Sequence, residues 1–300
     1  MSPAGNHTKL DEALFQDFVR QHGEWTAHPI RLSESLATIQ GAVNTNHLLY
    51  LQRVVQATAD IVRRPFSELR VLDLGALEGG FSIEFAKRGA RCLAVEGRKR
   101  HCDKIAFVRD ALNLTNLEVL NADVRQLDPQ ALGSFDIVLC LGLFYHIDAK
   151  SIVKFARSLY ALTRSVCVVD THIALFARTK IEADGRTYHG DLYREHRPEA
   201  TQDEIEAKRW ASIEREASFF MTEPSLCNLL DDVGFSSVMT CQNPYYKTMF
   251  DRKTYLAIRS EKIDTLASYP MPQGVQSRHP EQKDLAVVEP INKLPAVGIF

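Results

Sequence analysis

The sequence predicts an α/β fold, in which a doubly wound, mostly parallel sheet of seven strands has helices on both faces. From residue 67 onward, short runs that are apolar throughout alternate with amphipathic helical segments. This alternation is typical of a parallel sheet that is covered on both sides, and right-handed crossovers then give the doubly wound topology. The last two apolar runs, 236–243 and 252–260, are joined by a short connection that suits an antiparallel pair. We therefore expect the last strand to be antiparallel and to lie at the sheet edge.

Residues 1–66 are predicted to form an N-terminal helical cap. Apolar residues recur at helical spacing over 10–18, and residues 44–64 show the same period over a longer stretch. The segment between them, 24–39, is polar and aromatic and follows neither the helical nor the strand period. The cap is therefore expected to contain two helices joined by irregular chain.

The domain predicted over 67–260 begins with five strands and the helices between them. Each strand is a short apolar run, and each helix is amphipathic. The strands are expected at 69–75, 91–97, 117–123, 135–142 and 165–175, and the helices at 80–89, 98–114 and 149–163.

Two further segments interrupt or follow this pattern. Residues 175–218 are rich in charged and aromatic side chains, and we expect them to form an insertion that acts as a lid after strand five. A helix over 222–235 and the last two strands complete the sheet. Residues 261–300 contain five prolines and little periodicity, which predicts an extended tail.

Composition limits the classes of function. The chain has 300 residues with a formal net charge of −2, so no strongly basic field favours a nucleic-acid partner. Its six cysteines form no Cys-x-x-Cys pair, which favours free thiols in a reducing compartment over disulfides or zinc. No apolar run approaches about 18 residues, and the first residues lack the apolar core of a signal peptide. We therefore expect a soluble, cytoplasmic protein with no membrane partner, either a monomer or a homodimer.

A glycine-rich turn and a following acid indicate a nucleoside site. The stretch "VLDLGALEGG" (71–80) leads from a strand into a helix, where a ligand can approach the backbone closely. Glu96 ends the next strand, about 20 residues after Gly75, where a carboxylate can accept both hydroxyls of a ribose. Glu78 puts a negative charge at the turn, which argues against a pyrophosphate and for an amino-acid group. Asp123 ends the third strand and can accept from an adenine amino group.

These motifs resemble those of the class I S-adenosylmethionine-dependent methyltransferases over residues 67–260, a family with a Rossmann-like sheet. "VLDLGALEGG" is similar to the first motif, with Leu77 in place of the middle glycine, and "LAVEG", "NADVR" and "FDIVLCLGLFYHI" are similar to the next three. The resemblance implies S-adenosylmethionine as cofactor, with its methionine part and its ribose and adenine held by successive motifs. N-terminal helices often cover the cofactor in this family, so Trp25 and His28 are expected to close the pocket. The other implied cofactor residues are Asp73, Gly75 and Gly79 for the methionine part, Glu96 for the ribose, Asp123 and Val124 for the adenine, and Leu141.

Within this family, "CLGLFYHI" and "DRKTYLAI" are similar to the enzymes that carboxymethylate wobble uridine in tRNA. Those enzymes use a tyrosine in the first segment and an arginine in the second, which fall here on Tyr145 and Arg252. The charge balance does not support tRNA as the substrate. We therefore interpret this similarity as shared ancestry.

Candidate catalytic residues follow the fourth and fifth strands, because ligands bind at the carboxyl ends of such strands. Tyr145 and His146 follow strand four, and His172 follows strand five. A histidine can act as general base near neutral pH, although His146 can equally cap the next helix. The polar block 188–196 is expected to grip the acceptor. The predicted substrate-binding residues are Tyr188, Tyr193, His196 and Arg252, and no metal site is predicted.

The function predicted from the sequence is methyl transfer to a small-molecule acceptor at oxygen, nitrogen or activated carbon. Three alternatives remain: a tRNA- or peptide-modifying methyltransferase, a nicotinamide-dependent oxidoreductase, and a binding module that keeps only the nucleoside site.

Overall fold

The computed structural model describes residues 12–40, 45–242, 251–263 and 266–267. The helices are α1 (Glu12–His22), α2 (Thr45–Val62), α3 (Gly80–Lys87), α4 (Lys99–Ala111), α5 (Pro129–Leu132), α6 (Ile152–Leu162), α7 (Gln202–Ala207) and α8 (Glu223–Asp232). The strands are β1 (Arg70–Leu74), β2 (Arg91–Glu96), β3 (Leu117–Asn121), β4 (Phe135–Leu141), β5 (Thr163–His172), β6 (Thr179–Ala183), β7 (Arg186–Tyr193), β8 (Ser218–Met221), β9 (Ser237–Thr240) and β10 (Arg252–Ile258).

The main sheet has seven strands in the order β3-β2-β1-β4-β5-β10-β9. The first five strands are parallel, and β10 is antiparallel to both of its neighbours. The predicted α/β, doubly wound, Rossmann-like fold with an antiparallel last strand is therefore confirmed. The expected edge position of that strand is wrong, because β10 lies between β5 and β9. Tyr255 and Ala257 of β10 are buried, as suits an inner strand, whereas β9 at the edge is largely exposed.

Alternate side chains along the strands of the main sheet contribute to two hydrophobic cores, one on each face. In β4, Val138 and Cys140 pack with α6 and α8. Ile137 and Leu139 belong to the second core, to which α1, α2, α3 and α4 also contribute. Burial on both faces accounts for strands that are apolar throughout.

The insertion forms a second, three-stranded antiparallel sheet in the order β6-β7-β8. Its last strand extends to Met221, beyond the predicted limit of 218. The sequence signal for its first hairpin is Asp184-Gly185, where both residues have positive φ angles, +52° and +71°; such a dipeptide favours a two-residue hairpin turn. The amide of Phe219 donates to the Ile147 carbonyl at 2.9 Å, which fixes this sheet to the loop after β4.

The described part of the cap contains α1, irregular chain over 23–40 and α2. Most of the tail predicted over 261–300 lies outside the described residues, as do residues 1–11 of the cap. The six cysteines are free thiols, four of them buried. Across the described part of the chain, none of the helices has the length and apolar character needed to span a membrane.

Candidate active site

A cavity of about 490 Å³ lies at the carboxyl ends of β1 to β4. The turn after β1 and the ends of the next strands form its floor. Residues 26–28 and α2 form one wall, and residues 209–213 of the insertion form another. The cavity therefore brings the cap, the sheet and the insertion together.

The turn after β1 has the left-handed backbone that glycine favours at three positions. The φ angles are +67° at Gly75, +53° at Leu77 and +79° at Gly79. Gly75 lines the cavity, whereas a Cβ on Gly79 would lie 2.8 Å from Cγ1 of Ile105. Glycine at position 79 is therefore required by the packing of α4. Gly79 is not among the cavity-lining residues, and its role at the methionine part of the cofactor stays a prediction. Leu77 takes the same left-handed conformation despite its side chain, at a steric cost.

Glu96, at the end of β2, is buried and lines the cavity. One of its carboxylate oxygens accepts from the amide of Leu77 at 2.9 Å, and the other from the amide of Arg98 at 2.8 Å. A carboxylate has about four lone-pair sites, so the Glu96 carboxylate still has capacity for two further donors. The geometry fits the predicted binding of two vicinal hydroxyls.

Asp73, at the end of β1, also lines the cavity. Its Oδ2 accepts from the hydroxyl of Ser82 at 2.5 Å and from the Ser82 amide at 3.2 Å. Burial raises the pKa of Asp73 to about 6, although these hydrogen bonds oppose the shift. A bound cation beside Asp73 would favour its ionised form.

Asp123 and Val124 line the cavity beyond β3. The Asp123 carboxylate is already engaged, because Nη2 of Arg125 lies 2.7 Å from its Oδ2. Burial raises the pKa of Asp123, but the hydrogen bonds and charge of Arg125 outweigh this and hold it below its usual value. Leu141, at the end of β4, also faces the cavity.

Glu78 does not point its charge at the ligand, which corrects the argument from the sequence. Its carboxylate accepts from the backbone amides of Thr26, Ala27 and His28 at 2.9–3.2 Å. Lys104 lies 3.0 Å from Oε1 of Glu78, and both side chains are buried. Glu78 therefore fixes the cap to the glycine turn.

Trp25 does not line the cavity, so its predicted contact with the cofactor is corrected. Its ring packs among Phe15, Phe18 and Phe107, with centroid separations of 5.5–6.0 Å. It belongs to the contact between α1 and α4, where a large apolar ring is buried.

Residues 26–28, which follow Trp25, line the cavity in its place. Nδ1 of His28 accepts from the Gly80 amide at 2.9 Å. Burial lowers the pKa of His28 to about 3, so the ring is neutral. His47 stacks on it with centroids 4.9 Å apart, and Tyr50 lies one helical turn further along α2. His47 and Tyr50 were not predicted as site residues, although their three-residue spacing puts them on one helix face.

Tyr145 and His146 lie in a short 3₁₀ turn after β4 and line the cavity. Burial raises the pKa of Tyr145 to about 12, so its hydroxyl stays protonated. Nδ1 of His146 lies 2.8 Å from Oε1 of Glu195 in the insertion. Glu195 was not predicted as a site residue, and it carries no local sequence motif.

Arg252, on β10, reaches the same cavity. Its Nε donates to Oδ1 of Asp170 at 2.7 Å. His172 is not among the cavity-lining residues: its ring stands edge-on to Tyr145 at 4.7 Å, and its Nδ1 lies 2.9 Å from Oδ2 of Asp251. His172 therefore packs against the ring of Tyr145 and does not line the cavity, in contrast to its predicted catalytic role.

Three predicted substrate-binding residues of the insertion lie away from the cavity. Tyr188 is buried in the core, and its hydroxyl donates to Asp232 at 2.9 Å. The half-exposed Tyr193 packs on Phe220 with centroids 5.2 Å apart. Nε2 of His196 lies 2.7 Å from the Ser212 carbonyl. The predicted contacts of these three residues with the acceptor are therefore wrong.

Residues 209–213 are the part of the insertion that reaches the cavity. Trp210 is largely exposed at its mouth, and a Cβ on Gly97 would lie 3.0 Å from Cδ1 of Ile213. Ile213 thus covers the end of β2, beside Glu96. Among the residues that the structure describes, no three His, Cys, Asp or Glu side chains are grouped as metal ligands would be.

Comparisons with known proteins show similarity to methyltransferases. Residues 71–165 match the model of a family described as a methyltransferase domain. The chain is 33% identical over 90 residues to the 23S rRNA (uracil(1939)-C(5))-methyltransferase RlmD of Idiomarina loihiensis, covering 30% of this chain and 20% of that protein. It is 28% identical over 91 residues to the ubiquinone biosynthesis O-methyltransferase of Acinetobacter baylyi, covering 30% and 38%. The matched segments thus span about a fifth of the length of the first relative and about two fifths of the length of the second.

The fold is also similar to a solved structure, the N-terminal domain of EvdMO1 in the presence of SAH and D-fucose. The TM-score is 0.64 at 23% identity, and the match covers 85% of this chain and 98% of that domain. This likeness extends the shared fold from the matched family domain to most of the chain.

Proposed function

We infer that this chain, a class I S-adenosylmethionine-dependent methyltransferase, transfers the methyl group to a small-molecule acceptor held beside Tyr145, His146 and Arg252. The family match bears out the resemblance seen in the sequence, and S-adenosylmethionine is the cofactor. It supplies the methyl group and becomes SAH when the carbon–sulfur bond breaks.

The observation that carries this proposal is the shared cavity. Its volume of about 490 Å³ lies within the range of roughly 300–1,000 Å³ typical of small-molecule sites. The same cavity contains the nucleoside-type residues Asp73 and Glu96 at one side and the polar side chains of Tyr145, His146 and Arg252 at the other. A small acceptor at the second side would lie next to a donor bound at the first.

The cofactor residues in the cavity fit a nucleoside that carries an amino acid. Glu96 retains acceptor capacity for the ribose hydroxyls, and Gly75 brings backbone close to the ligand. Asp73 offers a carboxylate for the ammonium group, while Val124 and Leu141 provide apolar surface for the adenine. The chain's own part in the reaction is to position the acceptor, exclude water beneath residues 209–213 and accept a proton where the acceptor must lose one.

Binding and transfer test this function separately. SAH binding is measured by calorimetry on the parent and on Glu96→Ala, with Glu118→Ala as control because Glu118 is exposed on the neighbouring strand. Methyl-labelled S-adenosylmethionine is then offered with a panel of sugars (D-fucose among them), phenols, amines and heteroaromatic compounds, and separately with bulk tRNA.

The proposal predicts SAH binding that Glu96→Ala weakens and Glu118→Ala does not, with label transferred to a small compound. Transfer to tRNA alone would reject the small-molecule acceptor. Absence of SAH binding would reject the assignment of this cavity as the donor site.

A further inference from the structure

Glu195 connects the insertion to the polar side of the cavity. It follows β7 and is buried, with 7% of its surface exposed. Its carboxylate accepts from Nδ1 of His146 at 2.8 Å, from the Ser212 amide at 2.9 Å and from the Ser218 hydroxyl. Three donors from three parts of the chain therefore fix one carboxylate against His146.

These contacts define which nitrogen of His146 carries the proton. Burial works against ionisation of Glu195, but its hydrogen bonds with His146, Ser218 and Ser212 lower its pKa below the usual value. An ionised carboxylate only accepts hydrogen bonds, so Nδ1 of His146 must be the donor. The lone pair of the neutral ring is then on Nε2, the nitrogen that is not committed to Glu195.

The charged and titratable groups around the pair come from several elements. Tyr145 lies on the same turn, with its ring centroid 4.1 Å from that of His146. The Lys208 ammonium donates a hydrogen bond to the Glu195 carbonyl, and the positive charge of Arg98 interacts with the Glu195 carboxylate. Arg252 lies beyond Tyr145 and is paired with Asp170.

We propose that Glu195 is a positioning residue that orients His146 as a general base, and that the acceptor atom is a hydroxyl oxygen. This inference rests on the proposed methyl transfer. A hydroxyl is a weak nucleophile until its proton leaves, whereas a neutral amine attacks with its own lone pair and needs no base beforehand. A buried carboxylate–imidazole pair in the cavity therefore has a use for hydroxyl acceptors that it lacks for amines.

The hydroxyl proton passes to Nε2 of His146, and the oxygen electron pair forms the new bond to the methyl carbon. The electron pair of the broken carbon–sulfur bond stays on sulfur, so the positive charge of the donor ends on the imidazolium of His146. Glu195 stabilises that charge, and release of the proton to water restores the neutral ring.

The first test reads the state of His146 without any acceptor. Nitrogen-15 NMR of histidine-labelled enzyme, with and without SAH, reports the tautomer, and His146→Gln identifies the signal. We expect the Nδ1–H form in the parent and in Glu182→Gln, a control at an exposed carboxylate of the same insertion. Glu195→Gln should give a mixture of tautomers, and Glu195→Asp should retain part of the parent signal. An Nε2–H ring in the parent would overturn the inference.

The second test compares hydroxyl and amine acceptors of the same shape, such as phenol with aniline and glucose with glucosamine, using labelled donor. We expect label on hydroxyl oxygen only, a loss of about 10²–10⁴-fold in His146→Ala, and at least a tenfold smaller kcat in Glu195→Gln with the SAH dissociation constant unchanged.

Transfer to nitrogen or carbon that does not depend on His146 would overturn the hydroxyl assignment while leaving the methyltransferase function intact. If the enzyme binds no SAH and transfers no label, the proposed function fails instead. If SAH binds but every panel member is inert, the tautomer measurement still decides the role of Glu195.

Discussion

Lys104 lies 3.0 Å from Glu78, and both charged side chains are buried between the cap and the glycine turn. Nζ of Lys104 also donates to the Glu24 carbonyl at 2.6 Å. The three successive amides of 26–28 surround the Glu78 carboxylate on its other side. One ion pair thus holds the cap, α4 and the turn after β1 in register.

Lys104→Met should lower the free energy of unfolding by about 3–5 kcal/mol, because it leaves the Glu78 carboxylate buried without its partner. Glu78→Gln combined with Lys104→Met should be less destabilised than the sum of the single changes. Urea denaturation measures both. Lys99→Met on the same helix is the control, since Lys99 is exposed and its pair with Asp103 is solvated. Equal losses in the two lysine variants would contradict a structural role for the pair.

The same pair predicts a pH dependence. Burial opposes ionisation of Glu78, but the amide of Ala27 and the charge of Lys104 hold its pKa below the ordinary 4.5. A depressed carboxylate pKa contributes stability above the unfolded value, and this stability is lost as the pH falls through the folded value. The parent should therefore lose more stability than Glu78→Gln below about pH 4.5. Parallel acid curves for the two proteins would count against this.

Asp73 predicts a proton exchange on ligand binding. Because burial raises its pKa to about 6, a fraction of Asp73 is protonated near that pH, and an ammonium group bound beside it favours the ionised form. SAH affinity should fall as the pH drops below about 6, and binding at pH 6 should release a fraction of a proton. Calorimetry in two buffers of different ionisation enthalpy measures this release.

Asp73→Asn should abolish that release, and Asp110→Asn, at an exposed aspartate of α4, should preserve it. The sign for folding is the opposite of that for Glu78. A raised carboxylate pKa contributes stability at low pH, and this stability is lost as the pH rises from 3.8 to about 6. A proton release equal in Asp73→Asn and the parent would place the ammonium elsewhere.

The sheet and much of the donor site could be predicted because their signals are local. A strand that is buried on both faces is apolar along its own length, and Gly75 and Glu96 stand at the ends of such strands. The side chains that were assigned wrongly or missed make contacts distant in sequence. Glu78 contacts amides about 50 residues earlier, and His146 meets Glu195, 49 residues later.

The structure of the insertion was also hard to predict from its composition. Its strands alternate between exposed and partly buried residues and carry many charges, so a polar lid and a small sheet have similar composition. Composition indicated that Tyr188 and His196 were available to a substrate. In the structure, Tyr188 contacts Asp232 of α8, 44 residues later, and His196 contacts the Ser212 carbonyl, 16 residues later.

Glu96→Ala should weaken SAH binding by about 1.5–3 kcal/mol, the value of hydrogen bonds to a charged group. The structure adds a second expectation, because Glu96 also accepts the amides of Leu77 and Arg98. Glu96→Gln keeps one carbonyl acceptor and should lose less. Calorimetry at fixed pH measures both variants, with Glu118→Ala as the surface control. An affinity unchanged in Glu96→Ala would remove this residue from the ribose site.

Arg98 is expected to couple the donor site to the insertion. Its amide contacts Glu96, and its Nη2 donates to the carbonyls of Ile205, Lys208 and Ala211 at 3.0–3.2 Å. These contacts hold the segment that carries residues 209–213 over the end of β2. A lid fixed in this way should affect donor binding as well as the acceptor, in contrast to a lid that touches only the acceptor side.

Arg98→Ala should therefore raise the SAH dissociation constant by about 10–100-fold, which corresponds to the loss of charge-assisted hydrogen bonds. Hydrogen exchange should become faster over 202–213 while the strands of the main sheet stay protected, because the insertion loosens and the fold survives. Arg197→Ala is the matched control, since Arg197 lies in the same insertion but is exposed and pairs only with Glu204 among the contacts described. If Arg98→Ala binds SAH as tightly as this control and exchanges at the same rate, the insertion does not help to hold the donor.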